Sequence, residues 1–287
     1  MSTSSVRLPS QNQLILADAH VHIYPCFDLT DFLESALLNF QAYHQASESA
    51  PDFTSVLFLT ETRNENYFRE LKQIGRSQGN AQALLPDWTI ATTDEDCSLY
   101  ARSPDSRGAY VLAGRQLVTA ENLEVLALAT TEDLQDGLPL EATIREVADR
   151  GGIPVIPWGF GKWFGRRGKL LADLLNEEQL PTLFLGDNGG RPAFWSRPPL
   201  FARAERQGLR ILPGTDPLPF ASQSHRPGKF GFALTGSLDP AKPAASIKQL
   251  LADASAAIRP YGTLENPWRF VRNQIAMQLV KRNRKKQ

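Results

Sequence analysis

The chain has 287 residues, with 31 Lys and Arg against 31 Asp and Glu, 42% hydrophobic residues and a mean hydropathy of -0.30. That balance excludes a disordered chain and a globally basic nucleic-acid coat, and no apolar run reaches the roughly 18 residues of a membrane span. Two cysteines, Cys26 and Cys97, make neither a disulfide framework nor a CxxC knuckle, and the opening MSTSSVRLPSQNQ lacks a signal-like apolar stretch, so one large cytoplasmic domain is expected.

Extended and helical patterns alternate along the chain. Leu14 to Ala19 reads as a buried strand, and Leu29 to Gln45 as a helix with Phe32, Leu33, Ala36, Leu37 and Phe40 at helical spacing. Phe53 to Leu59 is a strand and Glu65 to Ile74 a helix. Three strand-like stretches follow without a long helix between them: Trp88 to Thr92, Tyr110 to Thr119 and Leu123 to Ala129. The last two are joined by a short Ala-Glu-Asn turn as a hairpin. Beyond them come a helix at Leu140 to Asp149, a strand at Ile153 to Ile156, a helix at Lys169 to Glu177, a strand at Thr182 to Leu185, a helix at Pro199 to Gln207, and strands at Arg210 to Leu212 and Phe232 to Thr235. Helices at Ala244 to Ala257 and Pro267 to Arg282 close the chain. This alternation predicts an α/β fold with a mostly parallel sheet or barrel, whose loops after the strands build the site.

The sharpest motif is Ala17-Asp18-Ala19-His20-Val21-His22, at the end of the first strand. Residues i and i+2 of a strand share a face, so two of the chain's four imidazoles converge as a metal requires. The structural alternative is a hydrogen-bonded pair lining a cavity. A second stretch, Trp158 to Lys169, holds Lys162, Arg166, Arg167 and Lys169 with no acid in a glycine-rich loop before a helix, which suits a phosphate or carboxylate. Its alternative is a solvated helix start with packed aromatics. Lys162, with Gly159 and Gly161 near it, is expected to enter the mouth of the site. Arg191, beyond Asp187-Asn188-Gly189-Gly190, is expected to reach the same mouth, with Asn188 beside it. His225 is a candidate late ligand or general acid, or a surface residue.

The order of these stations resembles the PHP family, the polymerase and histidinol phosphatase superfamily of metal-dependent phosphoesterases. Its opening DxHxH matches Asp18, His20 and His22. Later stations are similar to Leu59-Thr60-Glu61-Thr62, Gly114-Arg115-Gln116 with Glu124 to Leu128, Gly151 to Trp158, and Gly214-Thr215-Asp216-Pro217-Leu218. Ligands expected at Thr62, Gln116, Trp158 and Leu218 are missing, and Glu124 stands where a histidine is expected.

The resemblance implies a distorted (β/α)7 TIM-like barrel as a single domain over 13–280, after a flexible N-terminus at 1–12 and before a basic tail at 281–287. It implies a hydrolase acting on a small anionic, phosphorylated substrate. The metal set is His20, His22, Glu61, Glu124, Asp187 and Asp216, holding one divalent ion, Zn, Mn or Fe. Glu61 and Asp216 have an alternative as helix caps, and Glu124 as a hairpin surface residue. Lys162, Asp216 and His225 are the catalytic candidates, and Lys162, Arg166, Asn188 and Arg191 the substrate-binding ones. Lys162 would stand in for a second cation, with Trp158 filling its volume. Two other readings stay open: a degenerate barrel that only binds an anionic ligand or partner, and a mononuclear amidohydrolase-like enzyme. Neither a membrane nor nucleic acid is an expected partner, and Trp195, Phe194 and Phe201 are candidates for an exposed patch that would support a homo-oligomer.

Overall fold

The computed structural model describes residues 13–47, 52–76, 85–177 and 181–284, the side chains of 279–284 excepted. The expected N-terminal segment 1–12 and residues 285–287 of the basic tail lie outside the described residues.

In chain order the elements are β1 (Gln13–Val21), α1 (Leu29–Ala46), β2 (Phe53–Leu59), α2 (Tyr67–Arg76), β3 (Thr89–Thr92), β4 (Ser98–Arg102), β5 (Gly108–Leu112), β6 (Gly114–Val118), β7 (Glu124–Leu128) and α3 (Leu140–Asp149). They continue with β8 (Ile153–Pro157), α4 (Gly165–Leu174), β9 (Phe184–Asn188), α5 (Pro199–Arg206), β10 (Arg210–Gly214), β11 (Phe230–Gly236), α6 (Pro243–Ala252), β12 (Arg259–Gly262) and α7 (Pro267–Arg284). The helix spacing holds in α1, where Phe32, Leu33, Ala36, Leu37 and Phe40 are buried and Asp28 caps the first turn by accepting the Asp31 N–H at 2.9 Å.

The strands form two mixed sheets instead of the expected TIM-like barrel. One has seven strands in the order β12-β11-β1-β2-β5-β4-β3, the other five in the order β10-β9-β8-β7-β6. Only β1, β2 and β5 in the first and β8, β9 and β10 in the second run parallel to their neighbours. Antiparallel partners flank both sets: β11 beside β1, β4 and β3 beyond β5, and β7 and β6 beyond β8. A closed parallel barrel needs a helix between successive parallel staves; β3 to β5 and β6 to β7 have none, and β7 and β8 pair antiparallel although α3 joins them. The stretch Tyr110 to Thr119, which reads as one strand, breaks at Ala113, and its halves belong to different sheets.

The sheets meet at their strand ends. Glu61 bridges Arg115 on one side, and the Asp216 N–H donates to the His20 carbonyl at 2.8 Å on the other. Between them lies a dry core that includes Ile15, Ala17, Val56, Phe58, Leu126, Val155, Leu212 and Phe232. Two further cores sit under α1 and α2 and under α3, α4 and α5. No described helix is long and apolar enough to cross a membrane.

Candidate metal centre and its cleft

The strand β1 is buried on both faces, with Leu14 and Leu16 in the core under α1 and Ile15, Ala17 and Ala19 in the core between the sheets. Its register against β2 shifts between Asp18 and Val21, so that Asp18 pairs with Leu57 and Val21 with Leu59. One extra residue on β1 reverses the parity. Val21 and Ile23 therefore take the α1 side, and His20 and His22 turn the other way, towards the seam of the sheets.

Asp18 stays on the other side of this bulge and does not join the histidines. Fully buried, it accepts from the Thr215 N–H at 2.9 Å, the Thr215 hydroxyl at 2.6 Å, the Gly228 N–H at 2.9 Å and the His20 N–H at 3.2 Å. Burial outweighs these four donors and pushes its carboxyl up to about 6. Asp18 thus clamps β1 to the loop that delivers Asp216. That loop comes close only because residue 214 is glycine: a Cβ there would stand 2.5 Å from the His20 Cβ and closer still to its backbone nitrogen. Asp216 itself has a φ of 46°, the left-handed region in which aspartate is among the better-tolerated non-glycine residues.

The result is a cluster of His20, His22 and Asp216 whose ligand atoms lie within 4.8 Å of one another. The two Nε2 atoms are 3.1 Å apart, and Asp216 Oδ1 is 3.6 Å from that of His20 and 3.7 Å from that of His22. Burial lowers the His20 pKa, an effect that Asp216 only partly offsets. For His22 burial acts the same way, but the Glu65 and Asp216 carboxylates outweigh it and leave its pKa raised. The Asp216 carboxyl is lowered despite burial, because His20, His22 and Lys162 favour its anion. Two imidazoles and a carboxylate at this separation could hold a metal ion.

Around the cluster, the other candidates divide. Asn188 donates from its amide to Asp216 Oδ2 and lines the cleft. Gln116, where a bridging carboxylate was expected, sits 3.2 Å from His20 Nε2 and donates to Glu124 Oε1 at 3.3 Å. Glu124 in turn is ion-paired with Lys162, so both belong to the site. Gly159 makes room for that lysine, since a Cβ there would stand 2.8 Å from Lys162 Cδ. Thr62, Gln116, Trp158 and Leu218, the four positions without the expected ligand, all line the same cleft.

The structure turns five candidates away. Glu61 accepts the Phe68 N–H at 2.8 Å and so holds the start of α2, its carboxyl raised by burial. Asp187 is held by Arg191 in a two-pronged pair at 2.8 and 3.0 Å, and Arg191 also donates to the Trp195 carbonyl, so this pair shapes the loop and does not face the mouth. Arg166 is exposed on the first turn of α4, outside the cleft. His225 is exposed, with Nδ1 2.8 Å from Ser35 Oγ on α1. In the proposed apolar patch Phe194 is exposed, Trp195 is half-buried, and Phe201 is fully buried under Trp163.

Sequence reasoning missed Glu65. Its Oε2 is 3.7 Å from the buried His22 Nδ1, which has no hydrogen-bond partner, and it accepts the Thr62 N–H at 2.8 Å. His22 and that N–H outweigh burial and keep the Glu65 carboxyl lowered. A carboxylate behind a histidine fixes the tautomer that presents Nε2 as a metal donor. The Thr62-x-x-Glu65 spacing, that of a capping box, was the available signal. Also unforeseen was the wall of the cleft, about 680 Å³ in volume, which α7 and the loop after β10 complete through Phe270, Asn273 and Gln223.

No protein-family model and no curated protein sequence matches the chain. Solved structures do resemble it in fold. PsfC from Pseudomonas syringae PB-5123 aligns over 94% of this chain and 99% of its own, with a TM-score of 0.52 and 16% identity. PfuEndoQ, a lesion-specific endonuclease from Pyrococcus furiosus, aligns over 86% of this chain and 58% of its own, with a TM-score of 0.51 and 10% identity. Endonuclease Q is a PHP-fold enzyme, and at these identities the likeness is one of fold alone, so the chain has a PHP-like fold built as two mixed sheets.

Proposed function

We propose that the protein is a metal-dependent hydrolase of phosphoesters that works with one divalent ion at His20, His22 and Asp216. The observation that carries this reading is the convergence of those three side chains at the floor of a cleft. An ion bound there supplies Lewis acidity that activates water and polarises the ester oxygen. The protein's own groups do the rest. Glu65 orients His22, Asn188 orients Asp216, and Asp18 fixes the loop that carries Asp216. Lys162, held at the cleft by Glu124, turns to the substrate anion as it enters. In the overall reaction water oxygen bonds to phosphorus, the phosphorus–alcohol bond breaks, and the departing alcohol takes up a proton.

The site accounts for one ion. Glu124 is matched by Lys162, Glu61 caps a helix and Gln116 is neutral, so the donor set for further ions is absent among the described residues. The same ion pair favours a second reading, an anion-binding protein without turnover, if Lys162 and Glu124 never separate.

The test is metal content followed by activity. Protein purified without chelator is expected to carry about one equivalent of metal, and His20→Ala to weaken binding by on the order of 100-fold, read by equilibrium dialysis. Protein that takes up no Zn, Mn or Fe overturns the proposal. Metal uptake without hydrolysis of any phosphoester, together with a melting temperature raised by phosphate, selects the second reading.

A further inference from the structure

The inner side of α7 walls the cleft with Phe270, Asn273, Gln274 and Met277, and its opposite side is exposed. There Trp268, Val271 and Ile275 stand at i, i+3 and i+7, within about 60° of one another around the helix axis. They are 84%, 47% and 59% exposed. A helix whose only task is to wall a cleft turns polar residues outward, whereas α7 is apolar on both sides. A single exposed apolar residue needs no explanation, but a stripe of three led by a tryptophan marks a contact surface. The Ala193 N–H donates to the Glu265 carbonyl at 2.9 Å, which brings Phe194, 63% exposed, beside the start of the same helix.

The charge around this stripe has one sign. From Asn266 to Gln287 the sequence holds seven Lys or Arg and no Asp or Glu, in a chain that is neutral as a whole. Arg269 and Arg272 are exposed on α7, and Arg272, four residues after Trp268, shares its face. Neither arginine makes an ion pair among the described residues. Lys229 lies close by, its amine pushed down by desolvation and by the Arg226 and Arg269 charges, and it too has no ion-pair partner among the described residues. Unpaired arginines beside an indole and aliphatic side chains match a layer with anions outside and hydrocarbon beneath. The guanidinium groups stay with the headgroups while their stems and the indole lie at the boundary. A nucleic acid would engage the cations but gain nothing from Val271 and Ile275, and a second copy of the chain would bring the same positive charge to a two-fold contact.

We propose that the outer face of α7, with Trp268, Val271 and Ile275 flanked by Arg269 and Arg272, docks on an anionic lipid surface. A contact of this kind needs no spanning segment, so it departs from the expectation that no membrane is a partner, and it is independent of the chemistry at the metal centre. The test is co-sedimentation of the full chain with vesicles of phosphatidylcholine alone or of an equimolar mixture with phosphatidylserine. Protein should bind the mixed vesicles, bind phosphatidylcholine only weakly, and be released by added salt. Trp268→Ala should weaken binding by on the order of tenfold, and Arg269→Gln and Arg272→Gln by roughly fivefold each. All three positions are exposed, so melting temperature and metal content should stay as in the wild type. Trp268→Ala also separates docking by α7 from a hold by the basic tail alone. The proposal is overturned if mixed vesicles bind no protein, if phosphatidylcholine alone binds as much, or if the three variants bind as the wild type does. It is equally overturned if light scattering shows an oligomer that Trp268→Ala dissociates, or if a single-stranded oligonucleotide binds through these residues while the mixed vesicles do not.

Discussion

The floor and the wall of the cleft are built on opposite principles. Floor side chains stand at the ends of strands, or just beyond them, and their polar atoms are cross-tied: Asp18 takes four hydrogen bonds, Asp216 is held by Asn188, and Gln116 links His20 to Glu124. The wall stands on α7 and a short turn, where Asn273 and Gln223 line the cleft and turn their carboxamides to its solvent. A preorganised floor suits chemistry, where geometry must be held before the substrate arrives. A wall that leaves its carboxamides to the solvent suits recognition, because a ligand can take them up.

The contrast is broken most directly at Asp18. Asp18→Ala strips the partner from three backbone N–H groups and one hydroxyl, and should cost on the order of 4 kcal/mol in urea unfolding. A loss below about 1 kcal/mol would show that the clamp does not hold the floor. Asp18→Asn tests the same carboxyl by pH. Because the folded protein binds this proton more tightly than the unfolded chain, folding takes up a proton between pH 3.8 and about 6. The stabilisation from Asp18 is therefore full below pH 3.8 and lost as the pH rises through 6, a swing of roughly 3 kcal/mol. In chelator, wild-type stability should fall relative to Asp18→Asn across that window, and parallel curves would refute it.

Lys162 stands between the two regions. Lys162→Met should lower kcat/KM for phosphoesters by roughly 10- to 100-fold, and weaken phosphate binding, with little change in melting temperature. Unchanged kinetics would assign the lysine to the wall's packing and not to the anion. The smallest effect is expected on the outer face of α7, where Trp268 is 84% exposed beside Val271 and Ile275. Trp268→Ala should change stability by less than about 0.5 kcal/mol and leave metal content untouched. A larger loss would mean that this face is covered in solution, which light scattering would then show as an oligomer.

Much of the secondary structure was legible, for a local reason. β2 and α3 fall on the residues that their apolar periodicity marks, and the Ala-Glu-Asn turn does join the antiparallel pair β6 and β7. The short strands β4 and β12 were not foreseen, and β5 and β6 merged into one, because a continuous apolar run does not say where a chain changes sheet. The barrel expectation failed on the same ground: alternation specifies element types but not which strands pair.

The site divides in the same way. Strand geometry alone, with its period of two, put His20 and His22 on one face, and that expectation needed no knowledge of the rest of the chain. Which carboxylate completes them was a tertiary matter. A bulge sends Asp18 to the far side, Phe68 takes Glu61, Arg191 takes Asp187, and the absence of a side chain at Gly214 lets Asp216 reach the imidazoles from nearly 200 residues away. Such choices depend on contacts between distant segments and on the space a single Cβ would fill, and neither is written in the local pattern of residues.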